Sequence, residues 1–165
     1  MKKIAVRVLL VGAAIFVVMQ FFQPDRSNPP VDLAQRIEQH VTASPAVAHL
    51  LRNACFDCHS NETRWPWYSH VSPVSWLVSR DVSVGREHLN FSEWGSYKTR
   101  SQIGRLGAIA EEVEAGTMPL PIYISMHDEA DLSAEERDSL AAWAETSREY
   151  LIQVEGRQNR PDPVE

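Results

Sequence analysis

From Val8 to Phe22 the chain is apolar with Gln20 as the one polar intruder, and Met1-Lys2-Lys3, Ile4 to Val6 and a single Arg7 precede the run. A cleaved signal peptide has an apolar stretch of about 7 to 15 residues ending at a small-x-small site. This run ends Met19-Gln20-Phe21-Phe22-Gln23-Pro24, with no small pair. The pattern predicts an uncleaved anchor over residues 1–22: counted from Ile4 it has roughly the 20 residues that a spanning helix needs, with Arg7 snorkelling to the head groups. The positive-inside rule then keeps the lysines cytoplasmic and puts everything after Phe22 across the membrane. Residues 23–30 (QPDRSNPP) are polar and Pro-rich and read as a linker.

Past Val31 no period-2 run stands out, and the apolar positions fall at helical spacing, so the fold class is all-α, over a domain at 31–152. Leu33, Ile37 and Val41 share a face of a first short helix. Ser44-Pro45 supplies an N-cap and first position for a second helix reaching Asn53 and delivering the cysteines that follow. Ser72-Pro73 repeats the device, with Val74, Leu77, Val78 and Val82 on one face of a helix fading between Gly85 and Asn90. A helix over Thr99 to Ala115 carries Ile103, Leu106, Ala110 and Val113, and Gly116 stops it. Thr117-Met118-Pro119-Leu120-Pro121 reads as extended loop. Ser133-Ala134-Glu135-Glu136 is a capping box opening a last helix with Leu140 and Trp143 inward. Residues 153–165 lack an apolar pattern and read as a loose tail.

At 165 residues the chain has room for one domain, without internal repeats. Its net charge is −6, and leaving out the cations Lys2, Lys3 and Arg7 makes the rest about −9. That balance argues against nucleic acid and suits a basic or neutral partner, or simple solubility.

Cys55-Phe56-Asp57-Cys58-His59 is the strong motif. Two thiols separated by two residues can each add across a haem vinyl group, and the adjacent histidine is then held beneath the iron. A structural disulfide, a thioredoxin-like redox pair and half of a zinc site compete with this reading. The zinc reading lacks a second cysteine pair, the thioredoxin reading lacks a βαβ context, and a lone disulfide leaves His59 unexplained. One covalently attached haem c is the expectation. For the sixth position Met118 is the first candidate, since Pro119 restricts its loop and methionine ligation raises a cytochrome's potential; packing is its bland alternative. His127 is the main rival, followed by His88 and His70, whereas His40 and His49 precede the motif and Met126 reads as packing. Trp65, Trp67, Tyr68 and Trp76, with Phe91 and Trp94, could wall the porphyrin or simply form core. Arg64, Arg80, Arg86 and Arg105 are possible propionate partners. Glu111 to Glu114 read as a solvated helix face.

Cys55 to Ser69 (CFDCHSNETRWPWYS), Ser72-Pro73-Val74-Ser75-Trp76, Gly85-Arg86, Leu89-Asn90-Phe91-Ser92-Glu93-Trp94 and Met118-Pro119 occur in that order. Together they resemble the haem-binding domain family of small bacterial c-type haem proteins, which often carry an N-terminal anchor. The resemblance covers about Leu33 to Tyr150. It implies a cytochrome c-like helical domain, covalent haem on Cys55 and Cys58, His59 as proximal ligand and a periplasmic or outward-facing domain, which with the anchor makes the expectation a single-pass bacterial inner-membrane protein. Met118-Pro119 also resembles the methionine loop of monohaem cytochromes c, from which the Trp-Pro-Trp block departs. The function expected is one-electron transfer with an unidentified redox partner protein and no chemical turnover of a substrate. The alternative is a haem-based redox or gas sensor with a labile or open sixth position.

Overall fold

The computed structural model describes residues 1–158, and among these the chain is helical with no strand. The α-helices are α1 (Lys2–Met19), α2 (Pro45–Ala54), α3 (Phe56–His59), α4 (Val74–His88), α5 (Thr99–Glu114), α6 (Pro121–Ile124) and α7 (Ala134–Gln158), joined by short 3₁₀ turns. Leu106, Ile109, Ala110 and Val113 of α5, Leu140, Ala141 and Ala144 of α7, and Val47, Leu50 and Leu51 of α2 make one apolar cluster. Leu106 and Leu140 are completely buried, each contributing about 1.5–3 kcal/mol by leaving water.

The helix ends follow local chemistry. Ser44 Oγ accepts from the Val47 N–H at 3.2 Å ahead of Pro45. Ser133 Oγ accepts from the Glu136 N–H at 3.2 Å while Glu136 accepts from the Ser133 N–H at 2.8 Å, the reciprocal pair of a capping box. After α5, Gly116 takes φ +68, a left-handed conformation that favours glycine, and the loop to α6 follows.

Other segments depart from expectation. The helix expected through Leu33, Ile37 and Val41 is two 3₁₀ turns, Leu33–Gln35 and Ile37–Gln39. Asp32 accepts from the Ala34 N–H, and Arg36 between the turns is extended, its guanidinium on Glu62 at 2.8 Å. Ser72 is not an N-cap, since its hydroxyl is shared with Ser75 at 2.9 Å and accepts from Gln23 at 2.9 Å. The last helix continues to Gln158, into the segment expected to be loose, whose remaining residues 159–165 lie outside the described ones.

No helix among the described residues is long and apolar enough to cross a membrane, which overturns both the transmembrane helix expected over 1–22 and the single-pass inner-membrane placement. The 18-residue α1 stops at Met19 and includes Lys2, Lys3 and Arg7. Its apolar part, from Val8 on, is therefore only about 18 Å long against roughly 30 Å of hydrocarbon. The residues expected to extend it are engaged by the domain. Gln20 Oε1 accepts from the Ser72 N–H at 3.0 Å and Gln20 Nε2 donates to Ser72 O at 3.1 Å, while Trp76 Nε1 donates to Phe22 O at 2.6 Å. Residues 23–30 pack on the domain as well: Ser79 donates to Asp25 O, Asn28 to Thr63 O, and Arg86 to Asn28 Oδ1.

Candidate functional site

Cys55 follows α2, and α3 winds on from it, with the Cys58 and His59 N–H groups on Cys55 O at 3.2 and 2.9 Å. Positions i, i+3 and i+4 of a helical turn share a face, so the motif presents Cys55, Cys58 and His59 together. All three line a cavity of about 540 Å³. Its other walls include Val84, Gly85 and Leu89 at the end of α4, Phe91, Arg105 and Ile109, and the Met118-Pro119-Leu120 loop with Tyr123.

Cys55 and Cys58 are free thiols. Burial, with Cys58 nearby, pushes the Cys55 thiol up to about 12, and burial followed by the Asp57 carboxylate pushes Cys58 to about 11. Both are protonated at neutral pH, unlike the low-pKa thiolate of a redox-active pair. Among the described residues no group of three or more His, Cys, Asp and Glu side chains is placed to hold a metal ion.

His59 Nδ1 lies 2.9 Å from Gly85 O and 3.2 Å from Leu89 O. Two carbonyls can only accept, so Nδ1 carries the proton and Nε2 keeps its lone pair. Burial lowers the pKa of this ring and keeps it neutral. The Gly85 carbonyl reaches His59 because α4 packs backbone to backbone on α3: a Cβ at Gly85 would stand 2.7 Å from Cys58 O. One turn of chain is further fixed by Arg86, whose Nε donates to Ser60 O at 2.7 Å and Nη2 to Thr63 Oγ1 at 2.9 Å.

Met118 is half-buried beside buried Pro119, and its N–H donates to Glu112 O at 3.2 Å, as Thr117 does at 3.1 Å. The structure thus brings Cys55, Cys58, His59 and Met118 to one cavity. The aromatic block goes elsewhere. Trp65 donates to Asn28, Trp67 is 73% exposed and Trp76 is 40% exposed; none of the three lines the cavity. Tyr68 faces a neighbouring cavity of about 330 Å³ with Leu77, Val78, Met126 and His127. The apolar wall is instead aliphatic, with Phe91 stacked on Phe56 at 4.9 Å, and Trp94 is wholly buried in the core. Trp65 and Trp76 fall outside with their indole N–H groups on Asn28 and Phe22 of the 20–30 segment, whose path spacing cannot reveal.

His127 has both nitrogens engaged, Nε2 with Tyr68 Oη at 2.7 Å and Nδ1 with Glu129 at 3.3 Å. His88 lines the main cavity, whereas His40 and His49 are taken up by Ala34 O and Asn53; His70 lines neither cavity. Arg64 is paired with Asp57 and Arg86 with the turn after α3, leaving Arg80 and Arg105 at the cavity. Arg105 lies over the Tyr97 ring at 3.9 Å, and its buried Nε has no partner among the described residues. A haem offers an apolar macrocycle, two vinyl groups and two carboxylates. Aliphatic walls, two protonated thiols, a neutral imidazole and an orphaned guanidinium donor fit that group.

Two further site residues escape sequence reasoning. Asp57 is 6% exposed and accepts from Arg64 Nη2 at 3.1 Å and Tyr123 Oη at 2.9 Å. Burial and then that carboxylate push the Tyr123 phenol far above its usual range, so it is a donor. An acid inside the cysteine motif with an arginine shortly after it is a signal for the first pairing; nothing local signals the second.

Residues 14–146 match the family model described as a haem-binding domain. No curated protein and no solved structure matches the chain.

Proposed function

The chain belongs to the haem-binding domain family and binds haem, and from that premise we propose that it holds one haem c covalently and carries single electrons. The observation that carries this reading is the convergence of Cys55, Cys58, His59 and Met118 on one cavity. Each thiol would add across a vinyl group, sulfur to one carbon and its proton to the other, with no oxidant required. Because the pair follows one helical turn, both sulfurs meet the same edge of a flat group. His59 would offer Nε2 to the iron, and the Gly85 and Leu89 carbonyls hold its other nitrogen as donor and strengthen its basicity. Met118 supplies the sixth ligand. Arg105 binds a propionate, with Arg80 beside the same cavity. Bound haem supplies an iron that cycles between two oxidation states, and its potential is raised by the thioether ligand and by burial. The partner is a redox protein, neutral or basic where it meets this acidic chain.

The test is the optical spectrum of the full chain made with haem-maturation machinery. Haem should survive denaturing electrophoresis, and the ferric form should show the weak far-red sulfur-to-iron band, which Met118→Ala removes together with a large part of the potential. Covalent haem without the band, together with carbon monoxide binding to the reduced form, would replace the carrier with a ligand-binding sensor.

A further inference from the structure

Asp57 stands between the two cysteines and is met by four donors. Three come from Arg64: the backbone N–H at 2.9 Å, Nε at 3.2 Å and Nη2 at 3.1 Å. These close the segment on itself. The fourth, Tyr123 Oη at 2.9 Å, spans 66 positions of sequence. Tyr123 lies in α6, which begins directly after Met118-Pro119-Leu120, and its ring lines the cavity that the motif and Met118 share. Among the described residues the backbone of Thr117 and Met118 is tied only to Glu112 O, on α5. Among the described residues, the polar tie between the methionine loop and the cysteine motif is therefore the tyrosine.

We propose that the Tyr123–Asp57 hydrogen bond braces the Met118 loop against the cysteine motif, making Tyr123 a positioning residue for the sixth iron ligand. This rests on the reading of Met118 as that ligand. A phenol donating to a buried carboxylate forms a charge-assisted bond, stronger than a neutral one and not easily replaced by water. The plane of the tyrosine ring is also fixed: it stacks on His127 at 4.1 Å and 15°, and Tyr68 holds His127. Two independent contacts thus set where α6 starts, and with it where the chain leaving Met118 must go. The same phenol lies 3.4 Å from Asn53 O at the end of α2, so the brace reaches the helix that delivers Cys55.

The test uses the full-length ferric protein with imidazole as competitor, following loss of the sulfur-to-iron band as Met118 is released. Tyr123→Phe keeps the ring and its stack and removes only the hydroxyl; release should be about tenfold faster or more, the size of a lost hydrogen bond to a charged group. Asp57→Asn should accelerate release similarly, and the double variant should be no faster than the faster single one. Trp143→Phe, which removes the distant bond to Thr42 O, should lower thermal stability yet leave the rate alone, separating positioning from general loosening. If Tyr123→Phe does not accumulate as folded protein, Asp57→Asn decides by the same rate. Wild-type release rates in these variants, with the band present and lost in Met118→Ala, would overturn the brace while leaving the ligand in place. If the band is absent from the wild type, the ligand reading fails and the brace with it.

Discussion

The two sides of the cavity are built from different materials. On the His59 side the polar contacts that position the ring come from backbone: two carbonyls on Nδ1, supported by a helix–helix approach too close for a Cβ and by Arg86 clamping the next turn. On the Met118 side the chain is a loop anchored by two backbone bonds to one carbonyl and by side-chain bonds farther along. Backbone positions cannot be edited without moving helices, whereas side-chain anchors can be removed one at a time. The first side should fail as a unit and the second by degrees.

The contrast can be broken first at the cysteines. Replacing Cys55 and Cys58 together by alanine should abolish covalent haem, read as complete loss of haem staining on a denaturing gel. Gly85→Ala should be next: its Cβ would meet the Cys58 carbonyl at 2.7 Å, and two helix backbones cannot both yield. A loss of about 3 kcal/mol, at the upper end for overpacking, is expected in denaturant unfolding, with lower haem yield. Arg86→Leu should cost about 2 kcal/mol by leaving the Ser60 carbonyl and the Thr63 hydroxyl without their donor, measured the same way. Gly116→Ala should cost about 1 kcal/mol through its left-handed backbone. Met118→Ala should change stability least, the side chain being half-buried, while removing the sulfur-to-iron band entirely. A Met118 variant that unfolds as readily as Gly85→Ala would erase the distinction between the two sides.

Much of this was legible in the sequence where the chemistry is local. Ser44-Pro45, Ser133 with Glu136, and Gly116 mark helix ends because each acts on backbone within a turn of itself. The all-helical class follows from apolar spacing. Periodicity names the residues that share a face but not what lies opposite: Val74, Leu77, Val78 and Val82 share one, yet it lines the smaller cavity, with Val74 42% exposed. The same limit hid the destination of Trp65, Trp67 and Trp76. At the N-terminus, counting apolar residues passed over Gln20 and Gln23, whose amides are taken up by Ser72 and end the helix early. Tyr123 could not be singled out because its partner is distant in sequence, and Asp57 gave only half of its role.

The pair of carbonyls behind His59 has a consequence for magnetic spectroscopy. A ring tethered at one nitrogen to two fixed acceptors has a single torsional setting, so the imidazole plane cannot swing about its Cβ–Cγ bond. Its ring protons should give one sharp set of resonances that does not broaden on cooling.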